Sequence, residues 1–229
     1  MKTVFELALK RAFKQRLTMS LIVVFPIALI FLPQPQGMTT PTIAYGIFGL
    51  IILFSSFLLT KQVIEDRQQK TIVRIAAAPL NHRDYLIGHL SAYMLIMFVQ
   101  MTVFWVLSLV RWTAPLSFYL FGYALLLLFT MMAISFALFW HSMFKTFATS
   151  ISIYSIAANI MALMGGMSFP LQFLPDRLRS VAVVLPTYWY AYGLEQTTEA
   201  AYEIVMLCLL ILFGFAILFL TIGSKRRFE

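Results

Sequence analysis

Six apolar runs divide this chain, at residues 17–33, 41–60, 85–110, 116–140, 147–166 and 204–222. Each is near the ~20 residues that, at 1.5 Å per residue, cross ~30 Å of hydrocarbon. In lipid every backbone N–H and C=O must be bonded inside the protein, and a continuous apolar run of this length does so as an α-helix. The chain has 229 residues, is 61% hydrophobic and only 11% charged, and its mean hydropathy is +0.87. A soluble domain of this size could not hide that much apolar surface. The expectation is an all-α polytopic membrane protein with six transmembrane helices, the first of them short and broken by Pro26.

The basic residues orient these spans. The net charge of +8 could suggest nucleic acid, but Lys and Arg clustered beside apolar runs more often set topology, and no nucleic-acid partner is expected. With the N-terminus inside, the inner segments hold Lys2, Lys10, Arg11, Lys14, Arg16, Lys61, Arg67, Lys70, Arg74, Arg83, Lys145, Lys225, Arg226 and Arg227. The outer segments hold Arg111, Arg177 and Arg179. Fourteen against three places both termini in the cytoplasm. The basic N-terminal stretch followed by an apolar run is laid out like a signal peptide. No small-residue cleavage site follows, so the segment is expected to be retained.

Residues 1–16 place Phe5, Ala8, Leu9, Ala12 and Phe13 at helical spacing among the basic residues. The pattern suits an amphipathic helix in the interface plane, and equally a cytoplasmic extension of the first span. Residues 61–84 form the longest interruption on the inner side. Charges at Lys61, Glu65, Asp66, Arg67, Lys70 and Arg74 give way to the apolar patch 75–78, then to Pro79, Leu80 and Asn81. Asn81 is suited to cap the helix that enters the third span. The outer element, 167–203, alternates apolar and charged residues between Pro170, Pro175 and Pro186. Pro175 is placed to open a short helix. Tyr188, Trp189, Tyr190 and Tyr192 form an aromatic group of the kind found at headgroup level. One or two short helices dipping into the outer leaflet are expected there; an amphipathic surface loop is the alternative.

Catalytic patterns are missing. All nine acids fall outside the expected membrane core, which argues against proton coupling. His82, His89 and His141 are scattered, without HExxH or an acid cluster at ligand spacing, so no metal is expected. No GxSG or GxxxxGK[ST] sequence is present, so the chain has no phosphate loop of its own. The lone thiol, Cys208, fixes no compartment. Polarity within the spans is mild. Ser55, Ser56 and Thr60 sit late in the second. Thr149, Ser152, Ser155, Asn159, Ala162 and Gly166 follow at three- and four-residue steps along the fifth. Such a stripe serves helix packing, a dimer seam or the wall of a substrate path.

Two stretches carry a resemblance. The first reads Glu65-Asp66-Arg67, then Thr71-Ile72, Ala77-Ala78-Pro79-Leu80-Asn81 and Gly88-His89. The second reads Pro170-Leu171, Leu174-Pro175, Leu178-Arg179, Leu185-Pro186 and Tyr188. In that order, and with six spans, the chain resembles the membrane subunit of type-two ATP-binding-cassette (ABC) exporters. Lys70 stands where that family usually has Gly, and His89 where it usually has Lys. The resemblance implies a single transmembrane domain over residues 1–229, with a connecting helix at 1–16 and a cytoplasmic coupling helix between spans two and three. It also implies outer re-entrant helices before span six.

By that resemblance Glu65, Lys70, Thr71, Arg74, Ile75, Pro79 and Asn81 would couple the chain to a separate cytoplasmic ATPase, which would carry ATP and Mg. Ser55, Ser56, Thr149, Ser152, Ser155 and Asn159 would line a substrate path or dimer seam. Pro170, Pro175, Pro186 and Tyr188 would form an outer gate. The implied function is the permease of an ATP-driven exporter, working as a homodimer or with a sister permease among membrane lipids. It would have no enzymatic site of its own and would expel a drug, peptide antibiotic or lipid-like compound. The alternative is a non-transporting sensor or immunity protein that binds a peptide or lipid.

Overall fold

The computed structural model describes residues 2–31, 41–68, 82–169, 171 and 175–225. Every regular element among them is helical: α1 (Lys2–Lys14), α2 (Arg16–Ile30), α3 (Thr42–Leu59), α4 (Lys61–Gln68), α5 (His82–Arg111), α6 (Leu116–His141), α7 (Phe147–Met164), α8 (Asp176–Ala182), α9 (Pro186–Thr198) and α10 (Tyr202–Lys225). Five stretches are long and apolar enough to cross a membrane: Thr42–Asp66, Ile87–Arg111, Leu116–His141, Phe147–Met164 and Tyr202–Gly223. A sixth is reached if the pair α1–α2, bent by 86°, counts as one span. The 15 residues of α2, with Pro26 inside, rise ~22 Å, less than a full hydrocarbon thickness.

The second span is longer than its apolar run. At Thr60 the hydroxyl donates back to the carbonyls of Ser56 and Phe57, at 2.9 and 3.0 Å, and the ladder resumes with Val63 N–H on the Thr60 carbonyl at 3.0 Å. Back-bonding of this kind bends a helix without ending it. The chain therefore passes from α3 into α4 and carries the span to Asp66 rather than Thr60.

The axial element is α6, packed against α3, α5, α9 and α10. Apolar residues surround it over most of its length, as in a helix covered on all sides. Around it the core is largely aromatic. Phe48 stacks on Phe104 at 3.9 Å between centroids, Phe129 on Tyr190 at 4.3 Å, and Phe57 on Tyr154 at 4.1 Å. The Tyr154 hydroxyl donates to the Leu53 carbonyl and that of Tyr190 to the Tyr45 carbonyl. Two wide rings are thus buried without stranding their polar tips. By contrast α7 and α10 are the least covered spans. Ile153, Ile156 and Ile160 on one, and Met206, Leu210 and Ile217 on the other, face away from the bundle.

Glycines set the closest approaches. A Cβ on Gly46 would collide with the Met167 carbonyl oxygen, so this face of α3 admits the chain leaving α7 only as glycine. That exit is a helix stop with Gly166 at φ +79° and Met167 N–H bonded back to the Ala162 carbonyl at 3.0 Å.

Candidate functional site

Polar groups gather where α1, α4 and the first turns of α5 meet. Val4, Ala8 and Ala12 recur on one face of α1 and are buried against α5, where Gly88 leaves room for Val4. Leu7 and Phe13 on the same helix stay exposed beside Lys10 and Lys14. One apolar face is thus spent on the bundle while another remains for an interface, as an amphipathic helix allows. The sequence pattern leaves open whether α1 lies across the first span or prolongs it. In the structure α1 meets α2 at an angle of 86°.

The contact between α1 and α4 is ionic. The Arg11 guanidinium donates to the Asp66 carboxylate at 2.6 Å, with the Asp66 side chain 7% and that of Arg11 35% exposed. One turn back, Lys61 pairs with Glu65 at 2.9 Å along α4 and lies 4.9 Å above the Phe147 ring of α7. The sequence places Asp66 among solvated loop charges. It is buried instead, because α3 continues into α4 and carries it under α1. Glu65 pairs with Lys61 on its own helix, and the interhelical ion pair belongs to the next residue. His89 is also buried here and lies edge-on to Tyr93 at 5.6 Å. Lys70, Thr71, Arg74, Ile75, Pro79 and Asn81, the other residues assigned to coupling, lie outside the described residues, and α5 begins at His82.

The polar residues assigned to a path or seam do not share one wall. Ser55 and Ser56 are buried within the bundle, Ser55 accepting from Gln100 Nε2 of α5 at 3.4 Å. On α7 the buried face is Ser150, Tyr154, Ala158 and Ala162. Thr149, Ser152 and Asn159 lie on its uncovered side, with Ser155 half-buried between them. Ala162, counted with the stripe in the sequence, therefore belongs to the opposite side. Ser152, Ser155 and Asn159 each donate to the carbonyl four residues back, at 2.8 to 2.9 Å, which satisfies them within the helix while keeping the surface smooth.

At the other end of the bundle Pro175 caps α8 from outside, one residue earlier than a first helical position. Pro186 opens α9 at its first turn and is buried. Tyr188 stacks on Tyr192 at 5.5 Å and lies edge-on to Trp189. The Tyr188 hydroxyl draws the Arg179 guanidinium and raises its already high pKa. The four aromatics do not act as one belt: Tyr190 points into the core, and α9 is sunk among α3, α6, α7 and α10. Pro170 lies outside the described residues.

The family model for the ABC-2 family transporter proteins matches residues 8–225. The chain belongs to that family. It is a multi-pass ABC-2 membrane protein, a permease of an ABC transporter, and the sequence resemblance holds over nearly its full length. No curated protein matches the chain.

Proposed function

We propose that this ABC-2 permease is the membrane half of an ATP-driven exporter. Its energy comes from a separate cytoplasmic ATPase that binds ATP and Mg, and the permease chain performs no hydrolysis. Both termini and residues 61–84 face the cytoplasm, and 167–203 faces outward. Two permease chains, identical or sister, meet along α7. An amphipathic compound, whether drug, peptide antibiotic or lipid-like, is moved outward between them, and efflux-type antibiotic resistance is one natural use.

The observation that carries this reading is the family match together with the junction of α1, α4 and α5. Residues 70–81 leave from α4 and return into α5, so a push on them is delivered to two spans at once. Through Arg11 and Asp66 it also reaches α1. Within the sequence 70–81, Arg74 and Ile75 set a charge beside an apolar patch suited to a cleft on the ATPase, and Lys70, Thr71, Pro79 and Asn81 share the coupling role. Glu65 sits at its hinge. Pro170, Pro175, Pro186 and Tyr188 shape the outer gate.

The test is a paired substitution. Ile75→Asp with Arg74→Glu should abolish binding of the partner ATPase in pull-down and stimulation assays while the permease still inserts. Unchanged binding and export would remove residues 70–81 from the coupling role. Failure of any ATPase to bind the wild-type chain would favour a sensor or immunity protein.

A further inference from the structure

Two buried helix faces with the same spacing oppose one another below the aromatic core. One is Ser55, Leu59, Gln62 and Asp66 of α3–α4; the other is His89, Tyr93, Ile96 and Gln100 of α5. Steps of four, three and four residues keep each set on one face of its helix. The helices run antiparallel. Tyr45 meets Ser108 at 2.9 Å, Phe48 stacks on Phe104, and Ser55 meets Gln100 at 3.4 Å. Continued in the same sense, Leu59 falls level with Ile96, Gln62 with Tyr93, and Asp66 with His89. The Tyr93 hydroxyl lies within the field of Asp66, Arg11 and Glu65, as this register requires.

Polar atoms without a protein partner are concentrated on this seam. Among the described residues six buried side-chain atoms accept or donate no hydrogen bond within the protein. Four of the six, Gln62 Oε1 and Nε2, the Tyr93 hydroxyl and Gln100 Oε1, belong to these two faces, and a fifth, Ser56 Oγ, lies about a quarter-turn round the helix from Ser55. The sixth, Trp112 Nε1, lies beyond the far end of α5. Elsewhere the buried hydroxyls of Tyr45, Thr130, Tyr154 and Tyr190 are each bonded. A buried polar group that the protein leaves unbonded is normally bonded to water. The donor and acceptor types select the ligand. Gln62 presents both donors and acceptors, Tyr93 one of each, and Gln100 an acceptor. A cation would face the Gln62 amide N–H groups, and an anion the Asp66 carboxylate. Water both donates and accepts, and it matches every group.

We propose that the seam between α4 and the first half of α5 is a buried hydration site. Water is held between Gln62 and Tyr93, above the Arg11–Asp66 ion pair, and a second tier lies at Gln100 beyond the Leu59–Ile96 row. Intramembrane polar side chains that face a bundle interior commonly line water. Here the water joins α4 to α5 by bonds that exchange as the helices shift, in place of a fixed side-chain interlock.

Hydroxyl-radical footprinting with short X-ray pulses, on the full chain in lipid nanodiscs, tests this independently of any transport activity. Radicals are made from water where it resides, so a hydrated residue is oxidised even when bulk solvent cannot reach it. Tyr93 and Tyr154 are both 0% exposed, and Tyr154 is the dry control because its hydroxyl is bonded to Leu53. Tyr202, at 38% exposure, is the open control. Tyr93 should be oxidised at least about fivefold faster than Tyr154, as ordered buried water would cause. Gln62→Leu should bring Tyr93 down towards the Tyr154 rate while the melting midpoint is kept or rises, because leucine needs no partner. A wild-type Tyr93 no faster than Tyr154 would overturn the proposal, since Gln62 and Tyr93 would then bond directly in a dry seam. An unchanged Tyr93 rate in a folded Gln62→Leu protein would overturn the assignment to Gln62.

Discussion

Arg11 and Asp66, fifty-five residues apart, form an ion pair of 2.6 Å that fastens the amphipathic α1 to the end of the second span. The carboxylate is nearly buried and the guanidinium about one-third exposed. Breaking the pair from the Arg11 side leaves a buried charge uncompensated, which in a fully buried pair costs about 3–5 kcal/mol. Solvent access to Arg11 reduces that, and Arg11→Ala is expected to cost about 1–2 kcal/mol. Asp66→Asn should cost less, because the exposed guanidinium can turn to water. Thermal unfolding of the purified protein reads both. The double variant should cost less than the sum of the two singles, and strict additivity would mean that the pair is not formed.

Gly46 and Met167 make a second long-range prediction. The Met167 carbonyl oxygen stands where a Cβ on Gly46 would need room, so Gly46→Ala forces two backbones apart. The expected cost is at least about 2 kcal/mol, in the range of overpacked cores. Around Gly214, on α10, no atom of the described residues lies within 4 Å of where a Cβ would sit. Gly214→Ala should therefore be neutral or stabilising by up to about 1 kcal/mol through helix propensity. Comparable melting midpoints for the two variants would disprove the close approach.

The spans were legible in the sequence because an apolar run of bilayer length has one satisfactory backbone form. What the sequence hid depends on contacts between distant segments. The expected end of the second span at Thr60 followed the fall in hydropathy at Lys61, Gln62 and Glu65. The helix continues because α4 packs against α6 and α7, and Asp66 is buried against Arg11 of α1. Tyr190 reads as one of an interfacial aromatic group, yet its hydroxyl reaches the Tyr45 carbonyl at 2.8 Å, a partner no local pattern announces. Helical periodicity found the polar side of α7, but Ala162 shows the difficulty of choosing a face from small residues alone. The paired spacing of Gln62 and Asp66 with His89 and Tyr93 was present in the sequence. It could be recognised only once α4 was known to be helical.

Along α7 the uncovered face should meet a second permease chain. Single cysteines at Ser152→Cys and Asn159→Cys, both exposed, should form intermolecular disulfides on mild oxidation of membranes. Ala158→Cys, buried in the same helix, should not. Equal cross-linking at all three positions would indicate random collision, and none at Ser152 or Asn159 in active protein would place the seam elsewhere.

The charge asymmetry of the sequence predicts a membrane orientation that labelling can test. In a Cys208→Ala background, an impermeant thiol reagent added to intact cells should label Gln172→Cys and leave Gln69→Cys unlabelled until the cells are opened. Cys208 itself is buried in α10, so its removal lowers background without touching either loop. Labelling of position 69 from outside would invert the topology.

Glu65 offers a test of coupling apart from stability. Its pair with Lys61 is an i,i+4 contact between side chains that are 38% and 37% exposed. Exposed pairs of this kind contribute about 0.3–0.5 kcal/mol, so Glu65→Gln should leave the melting midpoint nearly unchanged. Asp66, one residue on, carries the interhelical ion pair and supplies the contrast. If Glu65 is the hinge of the coupling segment, Glu65→Gln should leave ATPase binding intact while substrate-stimulated ATP hydrolysis or export falls several-fold. Asp66→Asn should weaken the attachment of α1 and lower the melting midpoint as well. Should Glu65→Gln export at the wild-type rate with normal stimulation, the hinge role passes to Asp66, and the Arg11–Asp66 pair becomes the point at which α4 hands its motion to the rest of the bundle.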